Sequence, residues 1–159
     1  MELKEIRHKN NLTQLEAAEI VGLPLRTYIR YERDEQYGNI LKRKKIIEIL
    51  NDKFEITEEK GVLTISEIKQ IVIETIDKEF KGKVDFCYLF GSYAKGYASD
   101  KSDVDLCMSA NVHGFEYFGL VELLRENLHK VVEVILTDEL KNNTKLLNEI
   151  MKDGIKIYG

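Results

Sequence analysis

The larger part of this chain is organised around the stretch LFGSYAKGYASDKSDVDL, residues 89–106. An apolar and aromatic run over residues 84–90 ends at Gly91-Ser92, a pattern that indicates a buried strand leading into a helix. Glycine lets the backbone approach a ligand closely, and the free amides at a helix start, with the Ser92 hydroxyl, can bind phosphate oxygens. Residues 89–106 therefore predict a phosphate site at the end of the first strand.

Two carboxylates follow this turn at a fixed distance. Ten residues separate Ser92 from Asp103, and Asp103 and Asp105 stand two apart on a second predicted strand, so that their side chains share one face. Carboxylates on one face attract Mg²⁺, which takes its remaining ligands from water and substrate phosphates. Two such ions could assist both the attacking oxygen and the leaving pyrophosphate. Lys95 is expected either to neutralise phosphate charge or to be a solvated surface lysine.

Further elements are predicted on both sides of this stretch. Thr64 and Glu67 form a capping box that opens a helix, and a second helix is expected over residues 116–128. VVEVIL, residues 131–136, is β-branched and strand-like; residues 138–152 look helical, and GIKIY is expected to be a closing strand or an extended tail. Strands that alternate with helices favour an α/β or α+β domain with a mixed sheet.

The first 53 residues have a different character, because they predict only short helices with tight turns. Thr13 and Glu16 form a capping box, Gly22 ends that helix, and Pro24, the only proline, suits the start of the next one. We therefore expect an all-α head over residues 1–53, a charged linker over residues 54–63, and a second domain over residues 64–159.

The head resembles the Xre/Cro-repressor family of helix-turn-helix DNA-binding domains. The resemblance covers residues 1–52 and rests on LKEIR, the Thr13-Gln14 helix start, the Gly22 turn, and Tyr31-Glu32 at the end of the recognition helix. It implies that Leu25, Arg26 and Arg30 face the major groove of DNA and that Gln14 contacts a phosphate or a base at its edge. A small head with a net charge of only +2 favours a dimer that reads two half-sites.

The second domain resembles the DNA polymerase beta-like nucleotidyltransferases, and among them the small MNT-type enzymes. The match rests on LFGSYAKG, SDVDL, VVEVI and the terminal DGIKIYG. By this resemblance Gly91 and Ser92 hold a triphosphate, and Asp103 and Asp105 hold the metal ions. Glu133 stands where the family more often has Asp, and is expected to support a metal or to help deprotonate the acceptor.

The amino-acid composition argues against several other classes of protein. The chain has 159 residues, of which 43% are apolar and 33% charged, as in a soluble globular protein. No apolar run approaches the ~18 residues that a membrane span requires. Cys87 and Cys107 are too few for a disulfide framework or a four-cysteine zinc site, and reduced core thiols favour a cytoplasmic protein. Residues 1–53 hold 11 Lys and Arg against 9 Asp and Glu, whereas residues 54–159 hold 13 against 19, so only the head is expected to meet nucleic acid.

The two resemblances together imply an antitoxin. Small MNT-type transferases typically accompany HEPN toxins, and the expected reaction is transfer of AMP from ATP to a tyrosine of that toxin, with the head binding the operator of its own operon. Two alternatives stay open: a transferase that modifies a small molecule, and a transcription regulator whose transferase fold only senses nucleotide.

Overall fold

The computed structural model describes residues 2–159 and divides the chain into two compact units. The first unit ends at Glu55, and the second spans Ile56–Gly159, so the division falls inside the interval expected as a linker. Residues just after the division pack with the second unit, since Ile56 and Leu63 join its core. In the described part of the chain, no helix combines the length and the apolar character needed to cross a membrane.

The first unit is a bundle of four helices. They are α1 (Leu3–Lys9), α2 (Gln14–Ile20), α3 (Leu25–Arg33) and α4 (Ile40–Phe54). The Thr13–Glu16 capping box is present at the start of α2, as expected. A single core holds the unit together, and it contains the two tyrosines of α3: Leu3, Ile6, Ala17, Ala18, Tyr28, Tyr31, Ile46 and Leu50.

A buried ion pair ties α1 to α3. The Arg7 guanidinium donates from Nε and from an Nη to the two carboxylate oxygens of Glu32, each at 2.8 Å. The side chains of both residues are largely buried, 13% exposed for Arg7 and 4% for Glu32. Arg7 also donates to the carbonyl of Leu12, so this one side chain fixes three segments of the bundle.

The second unit is a mixed four-stranded sheet covered by helices, as the sequence predicts. Its elements are α5 (Ile65–Glu79), β1 (Val84–Phe90), α6 (Gly91–Lys95), β2 (Val104–Ala110), α7 (Phe115–Leu128), β3 (Val132–Leu136), a 3₁₀-helix (Thr137–Asn142), α8 (Thr144–Asp153) and β4 (Ile155–Tyr158). The strand order is β3-β2-β1-β4; β1 pairs antiparallel with both β2 and β4, and β2 pairs parallel with β3. The terminal GIKIY segment is thus a closing strand.

The two faces of the sheet are covered differently. One face packs against α5 and α7 in the main core, through side chains such as Leu89, Leu106 and Val134. Strand residues alternate between faces, so Phe90 and Cys107 point to the other face and form a smaller core with Leu140 and Ile150. Asp105 lies between Val104 and Leu106, and Glu133 between Val132 and Val134. Both carboxylates therefore project from the second face, beside α6 and α8.

Candidate functional site

The strand register brings two of the predicted acidic residues together. Asp105 of β2 and Glu133 of β3 are direct partners across the parallel pair, and Phe90, the last residue of β1, is the partner of Asp105 on its other side. Asp103 lies just before β2 rather than on the strand, and it is exposed, as is Glu133. Asp105 is the most enclosed of the three.

Asp105 carries the electrostatic signature of this site. Burial, together with the hydrogen bond to Glu133 and the negative charges of Glu133, Asp103 and Glu149, raises the pKa of its carboxyl from the ordinary 3.8 to about 7. The Asp105 carboxyl therefore keeps its proton in part of the molecules near neutral pH. Strongly shifted carboxyl groups of this kind are concentrated at functional sites.

Gly91 is the residue that lets Asp105 occupy this position. Its φ is +71°, a left-handed conformation that suits glycine. A Cβ added there would lie 3.0 Å from Cγ of Asp105 and well inside contact distance of Oδ2. The turn that the sequence predicts as a phosphate site therefore also packs directly against the Asp105 carboxylate. Ser92 follows in the first turn of α6 and is partly exposed.

Lys95, at the end of α6, has a partner that sequence reasoning missed. Its Nζ donates to Oε1 of Glu149 on α8 at 2.6 Å, and both side chains are about one-third exposed. The hydrogen bond with Glu149 raises the pKa of Lys95. Glu149 also contributes to the field at Asp105. Glu149 lies on a separate helix, 43 residues beyond Leu106, and no residue spacing in the sequence indicated its role.

The acidic residues are not gathered around a single point. Over residues 2–159, no three His, Cys, Asp or Glu side chains form a ready-made metal site. Ligands from a nucleotide and from water would have to complete any metal shell here.

The first unit exposes a cationic concave surface along α3. Leu25, Arg26 and Arg30, predicted to face DNA, are exposed. The concavity has a volume of about 420 Å³ and is lined by Leu25, Arg26, Ile29, Arg30, Arg33, Asp34 and Tyr37. The Arg30 guanidinium lies 5.9 Å from the centre of the Tyr37 ring, which steadies its position. Arg33 and Tyr37 were not predicted as part of this surface.

Gln14 has a structural contact besides its predicted role. Its Nε2 donates to Oε1 of Glu32 at 3.1 Å, next to Arg7. This bond holds the start of α2 against the end of α3.

Comparisons with known proteins agree with both halves of this description. The family model described as "Polymerase beta, Nucleotidyltransferase" matches residues 70–159. The chain belongs to this nucleotidyltransferase family. A helix-turn-helix model matches residues 3–51, so the family's transferase unit is joined here to a helix-turn-helix unit.

Two known proteins are similar to part of this chain. A protein of Methanocaldococcus jannaschii named "Putative protein adenylyltransferase MJ1379" is 35% identical over 85 residues, which are 50% of this chain and 84% of that protein. A crystal structure of a toxin-antitoxin with AMP-PNP is similar in fold, with a TM-score of 0.50 and 22% identity over 57% of this chain and 73% of that chain. The second unit thus has the fold, and the enzyme class, of a nucleotidyltransferase.

Proposed function

We propose that this chain is an antitoxin-type adenylyltransferase that transfers AMP from ATP to a tyrosine hydroxyl of a partner HEPN toxin and binds operator DNA through its first unit. The observation that carries the transferase part is the Asp105–Glu133 pair, which stands beside the Gly91-Ser92 turn in a nucleotidyltransferase fold. The name of the archaeal relative supports a protein as the acceptor.

The acidic residues of the site suit a divalent cation. Burial and three neighbouring carboxylates make ionisation of Asp105 unfavourable, and Lys95 is paired with Glu149. Oxygen donors with an excess of negative charge are the ligands that Mg²⁺ prefers. Asp103, Asp105 and Glu133 would hold two such ions, which would supply positive charge to the triphosphate and make the acceptor hydroxyl easier to deprotonate.

The remaining steps fall to the chain's own residues. Gly91 and Ser92 receive the triphosphate, with Lys95 released from Glu149 to meet it. The tyrosine oxygen forms a bond to the α-phosphorus, the bond from that phosphorus to the bridging oxygen breaks, and pyrophosphate leaves. The tyrosine proton passes to a carboxylate oxygen of Glu133, the residue expected to help deprotonate the acceptor.

The openness of the site favours a macromolecular acceptor. Asp103 and Glu133 are exposed, and the elements after Asp105 are used to extend or cover the sheet. A small-molecule acceptor would need an enclosed pocket of ~300 Å³ or more. A partner protein brings its own surface and its own nucleophile.

Intact mass spectrometry tests the transfer. A HEPN-type protein encoded beside this chain is incubated with it, ATP and Mg²⁺, and then weighed. We expect one or more added AMP masses, and none with Asp105→Ala. If Asp105→Ala neutralises the toxin with no change in its mass, the chain acts as an antitoxin by binding alone, and the proposed transfer is wrong. Transfer to a small molecule, or nucleotide binding without transfer, would favour the other two functions.

A further inference from the structure

Lys130 is an unusual residue in the core of the second unit. It lies between α7 and β3 with 0% of its surface exposed, and lysine is almost never buried to this extent. Burial lowers the pKa of its ammonium group, and the charges of Asp100, Glu59 and Glu58 act in the opposite direction.

The ammonium group joins two segments that are far apart in sequence. Its Nζ donates to the carbonyl oxygen of Lys60, at 3.3 Å, and to that of Asp100. The Asp100 side chain in turn accepts from the amide of Gly61 at 3.2 Å. Lys130 therefore fastens the loop before β2 to the short turn at residues 57–60.

This loop leads directly to the acidic site. Ser99 and Ser102 close it with three hydrogen bonds, which join Ser99 N to Ser102 Oγ at 2.8 Å, Ser102 N to Ser99 O at 3.0 Å, and the two hydroxyl groups at 3.3 Å. The amide of Val104 then donates to the carbonyl of Val131, the residue after Lys130, at 2.9 Å. Asp103 stands between the loop that the Lys130 ammonium binds at Asp100 and this backbone bond, so its backbone is held on both sides.

We propose that Lys130 is a positioning residue for Asp103, holding the 99–103 loop so that the Asp103 carboxylate meets a divalent cation together with Asp105. The proposal rests on the proposed metal role of Asp103. Asp103 is exposed and lies outside the strand, so the regular strand geometry that places Asp105 does not place it. A buried ammonium that binds two carbonyls supplies the missing constraint, and a cation in the interior is costly unless it is held in this way.

Manganese binding tests the proposal without requiring catalysis. The full chain is saturated with a non-hydrolysable ATP analogue and titrated with Mn²⁺, followed by calorimetry or by the electron paramagnetic resonance of free Mn²⁺. Lys130→Met keeps the length and the apolar stem but removes the donors. Loss of an outer partner of a metal ligand typically weakens metal binding roughly 10- to 100-fold, and we expect a weakening in this range.

Two further variants make the result specific. Lys101→Met removes a positive charge from the same loop, but Lys101 is an exposed lysine paired with Glu59, with 75% of its side chain accessible. We expect wild-type Mn²⁺ affinity for it. Asp103→Asn reports on the ligand itself: if it binds Mn²⁺ as the wild type does, the proposed metal role of Asp103 fails, whatever Lys130 does.

The Mn²⁺ affinities of these variants decide between the possible roles of Lys130. Weak Mn²⁺ binding by Lys130→Met with an unchanged melting temperature of the metal-free protein supports the proposal, as does a raised Mg²⁺ requirement in turnover with little change in kcat at saturating Mg²⁺. Wild-type affinity in Lys130→Met, or an equal loss in Lys101→Met, overturns it. If Lys130→Met unfolds, the same titration is carried out on Lys130→Gln, and wild-type affinity there overturns the proposal.

Discussion

At the scale of single residues, the proposed cation site depends on Asp105, whose charged form is disfavoured in the protein without a ligand. In the free protein its charge is disfavoured by burial, by Glu133 and by two more distant carboxylates. A folded-state pKa above the unfolded value means that the folded protein holds this proton more tightly. The resulting loss in the free energy of unfolding begins above pH 3.8 and is complete above about pH 7.

Asp105→Asn should therefore stabilise the metal-free protein, and more so at pH 8 than at pH 5. Asparagine resembles the protonated acid, so it avoids the cost of ionisation. We expect a gain of roughly 1–2 kcal/mol at pH 8, after allowing for the solvated part of the side chain, and a melting temperature higher by several degrees. Thermal unfolding in EDTA measures it. Asp138→Asn, an exposed aspartate, serves as the control. A gain that shrinks as the pH rises would contradict the account.

A comparison of Gly91→Ala with a second glycine variant should distinguish the effect of displacing the Asp105 carboxylate from the effect of backbone strain alone. The new Cβ would collide with the Asp105 carboxylate, and the variant should lose roughly tenfold or more in Mg²⁺-dependent ATP affinity, measured by calorimetry. Gly96→Ala is the matched control, since Gly96 has φ +84° and nothing within 4 Å of the added Cβ. Both variants carry ~1–2 kcal/mol of left-handed strain, but only the first moves the carboxylate. Equal ATP affinity in the two variants would mean that the contact is unimportant.

Among the elements, α1 and α3 depend on the Arg7–Glu32 pair. Arg7 lowers the pKa of Glu32, so the stabilisation is present above the ordinary pKa of 4.5 and is lost as the pH falls through the lower folded value. Glu32→Gln leaves Arg7 without its charge partner in a largely buried position, and we expect it to cost about 3 kcal/mol. Glu48→Gln breaks the exposed Lys45–Glu48 pair and should cost less than about 1 kcal/mol. Chemical denaturation at pH 7 compares them, and equal costs would rule out a structural role for the buried pair.

The exposed face of α3 is expected to carry the sequence preference of the first unit. Arg26→Ala or Arg30→Ala should reduce discrimination between the operon's own promoter and unrelated DNA by ~1–3 kcal/mol if the arginine reads a guanine. Lys45→Ala removes the same charge from α4 and should leave discrimination unchanged. Fluorescence anisotropy at several salt concentrations measures both affinity and the salt dependence that phosphate contacts produce. Full-length protein that does not distinguish its own promoter would end the proposal of autoregulation.

Prediction from sequence succeeded where a local pattern dictates the structure. A few adjacent residues were enough to predict four elements. These are the helices that begin after the capping boxes at Thr13 and Thr64, the buried strand β1, and the β-branched strand β3. Residues 138–152 were expected to be one helix, but the structure has a 3₁₀-helix followed by α8, because Asn143 caps a new start by accepting from the amide of Leu146. Local propensity does not reveal such a break.

The spatial arrangement of the candidate residues was predictable in part. Gly91, Ser92, Asp103 and Asp105 have a fixed spacing, and the register of β2 and β3 brings Glu133 opposite Asp105. Glu149 and Lys130 were not predicted, because their contacts arise from tertiary packing. Glu149 approaches on a separate helix, and no sequence pattern indicates that Lys130 is buried.

At the scale of the whole molecule, the chain joins two activities with opposite charge requirements. The helix-turn-helix unit exposes arginines on α3, whereas the transferase unit concentrates carboxylates at one edge of its sheet. The proposed function assigns DNA to the first and a nucleotide with its cation to the second. We therefore expect that substitutions can disable the proposed function of one unit and leave that of the other intact.

The position of the transferred phosphorus tests the central claim most directly. The partner HEPN protein is incubated with this chain, Mg²⁺, and ATP labelled on either the α- or the γ-phosphate, and the label on the partner is counted after separation. We predict label from the α-phosphate alone, and none with Asp105→Asn. Label from the γ-phosphate, or no label from either with a partner that is nevertheless neutralised, would contradict adenylyl transfer by this site.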